Sequence, residues 1–356
     1  MADFFELDFL DVETKSSGDA ICIRYELNGE TYIHVVDGGY QSTYDKIAGH
    51  LKNHYGAPSF INHVVATHND GDHTGGLQEV LGNYDVGCFW MLGPWNYADE
   101  LLPRFKNYTS ADNLRKKLRS VYSNLATLED IAKKRGITIG EPFQGAQIGA
   151  FRVMAPTKQR FLDLVASSEK TPEEAGLSEA LTAAAKRTFV KVANLVKAVW
   201  GAEYFPPEDT SSENEMSVVQ YAHLCGRKLL LTGDTGRGGL NEIISYAPAV
   251  GLTLPGIDRF QVPHHGGRHN VNTELLDKLL GARLDQQPSS GNFTAVISSA
   301  KEDEDHPRKS VVRAMIHRGA KVVTTEGHSI VSYGGETNGH GWGKATPVDY
   351  PDEQED

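Results

Sequence analysis

The sequence has few cysteines and no long apolar run. Its three cysteines, Cys22, Cys88 and Cys225, are odd in number and far apart, which argues against a disulfide framework and favours a reducing compartment. The absence of any stretch of about eighteen apolar residues excludes a transmembrane helix. The acidic N-terminus also lacks the basic-then-apolar order of a signal peptide. We therefore expect a cytoplasmic protein with no membrane partner.

Basic charge is scarce as well, and the net charge of −12 would repel a polyanion at long range. One segment, "RFKNYTSADNLRKKLRSVY", is nevertheless basic and contains two interleaved tyrosines. Such a segment could line a nucleic-acid groove, or it could be the solvated face of a helix. The residues that we predict as possible nucleic-acid contacts are Arg115, Lys116, Lys117 and Arg119.

Hydrophobic periodicity predicts a strand-rich α/β chain. "AICIRYELNGETYIHVVDGG" alternates around Asn-Gly and is expected to form a hairpin, and "INHVVATH", "DVGCFWML", "FTAVISSA" and "AKVVTTE" are expected to be strands. Residues about 97–136 and about 158–212 are expected to be helical insertions between strands. We assign residues 1–340 to one domain and residues 341–356 to an acidic tail that frays.

The stretch "HNDGDHTGG" places four potential ligands, His68, Asp70, Asp72 and His73, between a predicted strand and a predicted helix. Imidazole nitrogen and carboxylate oxygen together suit first-row divalent metals. In a sharp turn the pairs His68/Asp70 and Asp72/His73 could face two adjacent ions. The alternative is an Asp- and Asn-rich helix cap with incidental histidines.

Three other predicted strands also end in ligand-type residues. "HVVDGG" ends in Asp37, "LLLTGD" ends in Asp234, and "FQVPHHGG" contains His264 and His265. A lone aspartate at a strand end is usually a turn former. Several strand ends that all carry Asp or His instead indicate one shared crevice, since ligands at the carboxyl ends of strands meet at one edge of a sheet.

Taken in order, "VVDGG", "THNDGDHTGG", "LLLTGD" and "VPHHGG" resemble the metallo-β-lactamase superfamily. The aspartate at the second ligand place, together with "ENEMSVV" and "HPRKSVVRAMIHRGAKVVTT", is similar to the hydrolase domain of the ComEC DNA-uptake family. The resemblance spans about residues 8–333. It implies an αββα sandwich with two mixed sheets face to face, helices outside and metals at one sheet edge. The helical insertions would then lie over the site.

The resemblance also implies a ligand set for two divalent ions. His68 and Asp70 would hold the first ion, Asp72 and His73 would hold the second, and Asp234 would bridge them. A histidine of "VPHHGG" would join the second site, and we take it to be His264, with His265 left open. The resemblance places two further residues near the site but outside the ligand set. Asp37 would orient a ligand, and Asn214 lies where a third histidine is usual.

The chemistry implied is that of a binuclear hydrolase. A pair of Zn²⁺ or Mn²⁺ ions makes hydroxide available near neutral pH, and the shortage of imidazole at the first site favours manganese. We predict Asp72 as proton acceptor and His265 and His306 as candidate acids. A phosphodiesterase is expected, with a nuclease favoured. The alternatives are a hydrolase of small phosphate esters or nucleotide signals, or a metal-containing binding or sensor module without turnover. The remaining histidines, including His50, His54 and His340, are expected to be structural or surface residues.

Overall fold

The first sheet contains the strands nearest the N-terminus. The computed structural model describes residues 3–171 and 195–356. The strands of this sheet are β1 (Phe4–Phe9), β2 (Ala20–Leu27), β3 (Glu30–Gly38), β4 (Phe60–Val65), β5 (Asp85–Trp90), β6 (Thr138–Gly140) and β15 (Ile330–Gly335). Their order is β15-β1-β2-β3-β4-β5-β6, and the pairs from β3 to β6 are parallel. The β2–β3 pair is the predicted hairpin, with Leu27 opposite Glu30.

The second sheet is built from the later strands. They are β7 (Gln147–Ile148), β8 (Phe151–Ala155), β10 (Val219–Leu224), β11 (Arg227–Leu231), β12 (Arg259–Gln261), β13 (Phe293–Ile297) and β14 (Ala320–Thr324). The order is β14-β13-β12-β11-β10-β8-β7, with parallel pairs from β11 to β14. A separate antiparallel pair joins β9 (Leu195–Lys197) to β16 (Glu353–Glu355). Both sheets are therefore mixed, as expected.

Helices cover the outer faces of both sheets. The described α-helices are α1 (Tyr44–His54), α2 (Gly71–Thr74), α3 (Leu77–Asn83), α4 (Ala98–Leu101), α5 (Ala111–Val121), α6 (Ser123–Arg135), α7 (Lys158–Ser167), α8 (Ser212–Glu215), α9 (Arg237–Tyr246), α10 (Thr273–Leu280) and α11 (Lys309–His317). One buried apolar cluster contains residues of both sheets together with Ile47 and Leu51 of α1. Another joins the second sheet to Leu240, Leu276 and Met315 of the later helices. The predicted αββα sandwich is confirmed.

The helices of residues 3–171 and 195–356 are amphipathic and short. None of them combines the length with the apolar character that crossing a bilayer requires. Their apolar stripes are used against the sheets instead, which is typical of helices that cover a sandwich.

The two predicted insertions differ in how much helix they contain. Across about 97–136 the chain forms α4, α5 and α6. Asn124 Nδ2 donates to the carbonyl of Asn69 at 2.8 Å, so this insertion contacts the ligand-rich loop. Within about 158–212, α7 and α8 are helical and residues 172–194 lie outside the described residues. The helical prediction is wrong for 195–211, because residues 195–197 pair with the C-terminal strand as β9.

The acidic tail is packed against the domain, so the prediction that it frays is wrong. Glu355 is buried, and its carboxylate accepts the backbone N–H groups of Lys309 at 2.9 Å and Ser310 at 3.0 Å. Those donors open α11, where free N–H groups and the helix dipole favour an anion. The buried guanidinium of Arg313 donates to the carbonyl of Pro351 at 2.5 Å. The acidic tail therefore supplies a carboxylate, that of Glu355, to the N-terminus of α11.

We predict that Glu355→Ala lowers the free energy of unfolding by about 1 kcal/mol or more, the usual cost of losing a helix N-cap. The measurement is urea-induced unfolding followed by circular dichroism. Glu353→Ala is the matched control, since Glu353 lies on the same strand and its side chain is 41% exposed. Equal unfolding midpoints for the two variants would contradict the capping role.

Candidate metal centre

The carboxyl ends of β3, β4, β11 and β12 bring most of the predicted ligands to one edge of the sandwich. His73 is fully buried in the helical turn that follows β4, and its Nδ1 lies 2.8 Å from Asp37 Oδ2. Asp37 also accepts the N–H of Thr67 at 2.8 Å and its hydroxyl at 2.6 Å. With three donors, Asp37 fixes the His73 ring so that Nε2 faces the crevice.

Asp234 lies at the centre of this edge. Its Oδ2 is 3.3 Å from His73 Nε2, 3.7 Å from His68 Nε2, 3.8 Å from His264 Nε2 and 3.9 Å from His265 Nε2. The backbone N–H of Asp234 donates to Ser217 Oγ at 3.2 Å, which holds the residue at the end of β11. One carboxylate therefore faces four imidazoles.

Most of the ring nitrogens that face Asp234 are buried and unsatisfied. His68 Nε2, His73 Nε2, His265 Nε2 and Asp234 Oδ1 have no hydrogen-bond partner among the described residues. Buried polar atoms without partners cost free energy, so several that converge on one point indicate a position for a ligand. Potential ligand atoms of Asp19, His73, Asp234 and His265 all lie within 4.8 Å of one another. This donor set, with two nitrogens and two oxygens, fits a divalent metal.

The backbone is strained where the ligands emerge. Asp37, His264 and His265 have φ angles of 56°, 51° and 53°, in the left-handed region that favours glycine. Such conformations cost of order 1–3 kcal/mol each and persist where the surrounding structure imposes them. A Cβ on Gly76 would lie 2.3 Å from the carbonyl oxygen of Gly38, so glycine is required where the ligand loop passes β3.

The two neighbouring histidines of "VPHHGG" have different environments. His265 is buried, and its Nδ1–H donates to the carbonyl of Ser298 at 2.9 Å, which turns Nε2 towards Asp72 Oδ2 at 3.5 Å. His264 is 29% exposed, and its Nδ1 lies 3.0 Å from Asn270 Oδ1 and 3.4 Å from Asn214 Nδ2. The geometry therefore favours His265 over our first choice, His264, as the partner of His73.

The other side of the centre has fewer imidazoles. His68 Nε2 lies 3.8 Å from Asp70 Oδ2, and Asp70 Oδ1 lies 3.3 Å from Lys170 Nζ. Asn214, at the place of the absent third histidine, donates to Thr210 Oγ1 at 2.8 Å and does not face His68 in a described contact. On this side the potential ligand atoms are therefore one imidazole nitrogen and carboxylate oxygen, with an ammonium group paired to Asp70.

The charges of the centre stabilise one another. Burial opposes protonation of His265, but the carboxylates of Asp234 and Asp72 outweigh it and raise its pKa to about 9. Burial likewise opposes ionisation of Asp234, yet His73 and the neighbouring histidines hold its pKa well below the usual range. A bound divalent cation would take the place of the protons on these imidazoles.

Asp72 and His306 lie at the open side of the centre. The Asp72 side chain is 25% exposed, with Oδ2 3.8 Å from His73 Nε2. The ring of His306 is 5.3 Å from that of His264, and its Nδ1 is 3.4 Å from Asp303 Oδ2. The distant His-Pro segment therefore brings a titratable group beside the crevice.

The predicted basic surface is largely neutralised. Arg115 pairs with Asp99 at 3.1 Å and Asp112 at 2.5 Å, and Arg119 pairs with Asp130 at 2.7 Å and with Glu129. Lys116 is exposed and Lys117 is half-exposed. The two arginines therefore hold α5 to its neighbours.

Sequence reasoning missed Asp19. It is buried just before β2, where it accepts from Gln261 Nε2 at 3.0 Å and lies 3.9 Å from His73 Nδ1. Because β2 runs antiparallel to β3, the start of β2 lies at the edge where β3 ends. The sequence "GDA" at the start of β2 contains this aspartate. Only the pairing of β2 with β3 shows that it lies beside the other potential ligands.

Residues 17–97 match the family model described as the metallo-beta-lactamase superfamily. This part of the chain is similar to that superfamily. The match includes Asp19, Asp37 and the whole ligand loop from His68 to His73. It supports a hydrolase whose His and Asp side chains could bind metal.

Known proteins similar to this chain share only part of its sequence. ComE operon protein 3 of Bacillus subtilis (strain 168) is 26% identical over 126 residues, which is 35% of this chain and 14% of that protein. The metallo-beta-lactamase fold protein YhfI from Bacillus subtilis has a TM-score of 0.41 and 11% identity, covering 93% of this chain and 100% of its own. A diphosphatase of the PhnP family has a TM-score of 0.38 and 10% identity, covering 94% of this chain and 99% of its own.

Proposed function

We propose that the protein is a metal-dependent phosphodiesterase with two divalent ions in the centre around Asp234. The observation that carries the proposal is the convergence of buried, unpartnered His and Asp atoms on one carboxylate at an open sheet edge. When bound, the ions would supply hydroxide near neutral pH and stabilise negative charge on the reacting phosphate. The resemblance to the ComEC hydrolase domain supports phosphodiesters as the substrate class.

The residues of the chain have separate tasks in this proposal. Asp37 and the carbonyl of Ser298 fix the ring orientations of His73 and His265, so that both Nε2 atoms are presented as ligands. We assign His265, rather than His264, to the ligand set on this ground. Asp72, which is partly exposed, can accept a proton at its carboxylate, and His306 can donate one to a leaving oxygen.

Lys170 supplies positive charge at the mouth of the site. Its ammonium group lies 3.3 Å from Asp70 Oδ1, and its side chain is 40% exposed. An ammonium in that position can contact a non-bridging phosphate oxygen without leaving the neighbourhood of the ligands. We propose Lys170 as a substrate-binding residue.

The size of the substrate is a second part of the proposal. A nuclease needs cations along the path of the strand, and each phosphate contact adds salt dependence to binding. Arg115 and Arg119 already pair with carboxylates. Of the four basic residues in this segment of α5, Lys116 and Lys117 are the two with no described carboxylate partner. Because the two arginines are already paired, few cations remain to contact a nucleic-acid strand. We therefore favour a small phosphodiester as the substrate, and nuclease activity is the alternative to test.

The central experiment is hydrolysis of bis-p-nitrophenyl phosphate by protein stripped with a chelator and reloaded with defined metals. We expect no activity without metal, recovery with either ion, and a higher rate with Mn²⁺ than with Zn²⁺, because the first site has a single imidazole, His68. Elemental analysis should find at least two ions per chain. Reloaded protein that binds metal but turns over no phosphodiester would overturn the proposal and leave a binding module.

We predict that Lys170→Met raises the KM for bis-p-nitrophenyl phosphate about tenfold, as expected for loss of a partly exposed contact worth about 1.4 kcal/mol. Metal content should not fall. The double variant Lys116→Gln/Lys117→Gln should leave this KM unchanged, because neither lysine has a described contact with the ligands. A rise in KM on single-stranded DNA alone for the double variant would restore the nuclease as the better interpretation.

A further inference from the structure

A second group of histidines lies between α1 and the first sheet. We call it the α1 cluster, and its members are Asp8, His50, His54 and His340. Asp8 belongs to β1, two residues come from α1, and the last comes from the turn after β15. The α1 cluster shares no residue with the centre around Asp234.

Three side chains of the α1 cluster, those of Asp8, His50 and His340, are close enough to share one ion. Asp8 Oδ1 lies 2.9 Å from His340 Nε2, and Asp8 Oδ2 lies 3.3 Å from His50 Nε2. Ligand atoms of these three residues all lie within 4.8 Å of one another. The His54 ring is 4.5 Å from the His340 ring and 4.9 Å from the His50 ring.

Helix geometry reinforces the grouping. His50 and His54 are four residues apart on α1, so their side chains project from the same face one turn apart. His50 is only 6% exposed, and its Nε2 has no hydrogen-bond partner among the described residues. A buried ring nitrogen beside a carboxylate and two further imidazoles is the arrangement that a metal would complete.

The surroundings provide access from solvent. A cleft of about 770 Å³ is lined by His50, His54 and Trp342, and Lys46 and His328 also line it. His54 is half-exposed, whereas Asp8 is fully buried. An ion could therefore reach the buried carboxylate through the imidazoles without unfolding of the sheet.

We propose that the α1 cluster is a zinc site separate from the catalytic centre. Asp8, His50 and His340 supply one carboxylate and two imidazoles. We propose that His54, whose ring lies 4.5 Å from the His340 ring, supplies the fourth ligand of a tetrahedral zinc site. A closed set of protein ligands, with Asp8 buried, indicates a structural site that stabilises the fold.

The bound ion would join three parts of the chain. His340 has a φ of 62°, in the left-handed region, so its backbone is held in a conformation that needs support. Metal coordination would tie this turn to α1 and to β1. Since binding to the folded chain alone shifts the unfolding equilibrium, zinc should raise the melting temperature.

The test is native mass spectrometry of protein dialysed against zinc, with the wild-type chain compared with His50→Gln, His54→Gln and His340→Gln. We expect each variant to carry one zinc fewer than the wild type. The zinc-induced rise in melting temperature should shrink accordingly. Cobalt substitution should give the wild type one more set of tetrahedral absorption bands than the variants. Hydrolysis by the reloaded variants should persist, which separates this proposal from that of the catalytic centre.

The matched control is His328→Gln, which alters the same cleft outside the cluster and should keep the full zinc content. His54→Gln is the variant that best preserves the fold, because His54 is the more exposed histidine of α1. Equal zinc content in wild-type protein and in folded His54→Gln and His50→Gln variants would overturn the proposal. The α1 cluster would then be a hydrogen-bonded network around Asp8.

Discussion

Asp234→Asn is expected to remove at least one metal ion per chain and to lower kcat/KM for a phosphodiester more than about 100-fold. The reason is the central position of Asp234, whose Oδ2 lies within 3.9 Å of the Nε2 atoms of four histidines. Loss of a residue that only supports a ligand already costs about 10–100-fold in metal affinity or activity. Loss of the shared carboxylate should cost more, since it would serve both ions.

The graded comparison for this prediction is Asp37→Asn. Asp37 touches His73 and Thr67, and we expect the milder loss of about 10–100-fold. Metal content from elemental analysis and steady-state kinetics are the two readouts. Asp99→Asn is the control, because this exposed residue pairs with Arg115 away from the centre. If Asp234→Asn kept the metal content of the wild type and near-normal turnover, the ligand assignment would be wrong.

The second large effect concerns stability. Glu203→Gln is expected to lower the free energy of unfolding by about 3 kcal/mol, the lower range for breaking a buried ion pair. The Glu203 carboxylate lies 2.8 Å from His317 Nδ1 and 2.7 Å from Arg318 Nη1, and all three side chains are fully buried. Without the negative charge, the Arg318 guanidinium would keep only Asp277 as an ionised partner among the described contacts.

The pH dependence of this network has a definite sign. Burial opposes ionisation of Glu203, but hydrogen bonds from His317 and Arg318 lower its pKa from 4.5 to about 2. A lowered pKa means that the stabilisation is complete above pH 4.5 and is lost as the pH falls towards about 2. Unfolding by urea at about pH 7 and about pH 3 should therefore show a smaller difference between wild type and Glu203→Gln at the lower pH.

The control for the stability prediction is Glu274→Gln. Glu274 pairs with Lys278 on the surface of α10 and is 77% exposed, so its replacement should change the free energy of unfolding far less than that of Glu203. A Glu203→Gln variant as stable as Glu274→Gln at neutral pH would contradict the buried-network account.

Much of the fold was predictable because each strand carries its own local signal. The hairpin around Asn28 and Gly29, the strand before His68 and the strand before Asp234 are all predicted by apolar runs, alternation and turn residues. Local signals failed for residues 195–211 and for the tail. These segments have little periodicity of their own, and their two short strands form by pairing with each other.

The sequence by itself determined that the predicted ligands would lie at strand ends, because an apolar run followed by a turn residue ends a strand wherever it occurs. Only the tertiary structure decided which partners the side chains of neighbouring residues have. His264 and His265 are adjacent in sequence and both have a left-handed backbone, yet the ring of His264 lies beside Asn270 and the ring of His265 faces Asp72.

Asp19 and the α1 cluster show the same limit. Asp19 reaches His73 because β2 pairs with β3, and His340 reaches Asp8 across a sequence separation of 332 residues. No local pattern encodes such a contact, since it exists only after the first sheet and α1 have packed. Short motifs therefore determine which ligand chemistry is present, whereas long-range packing determines which residues become partners.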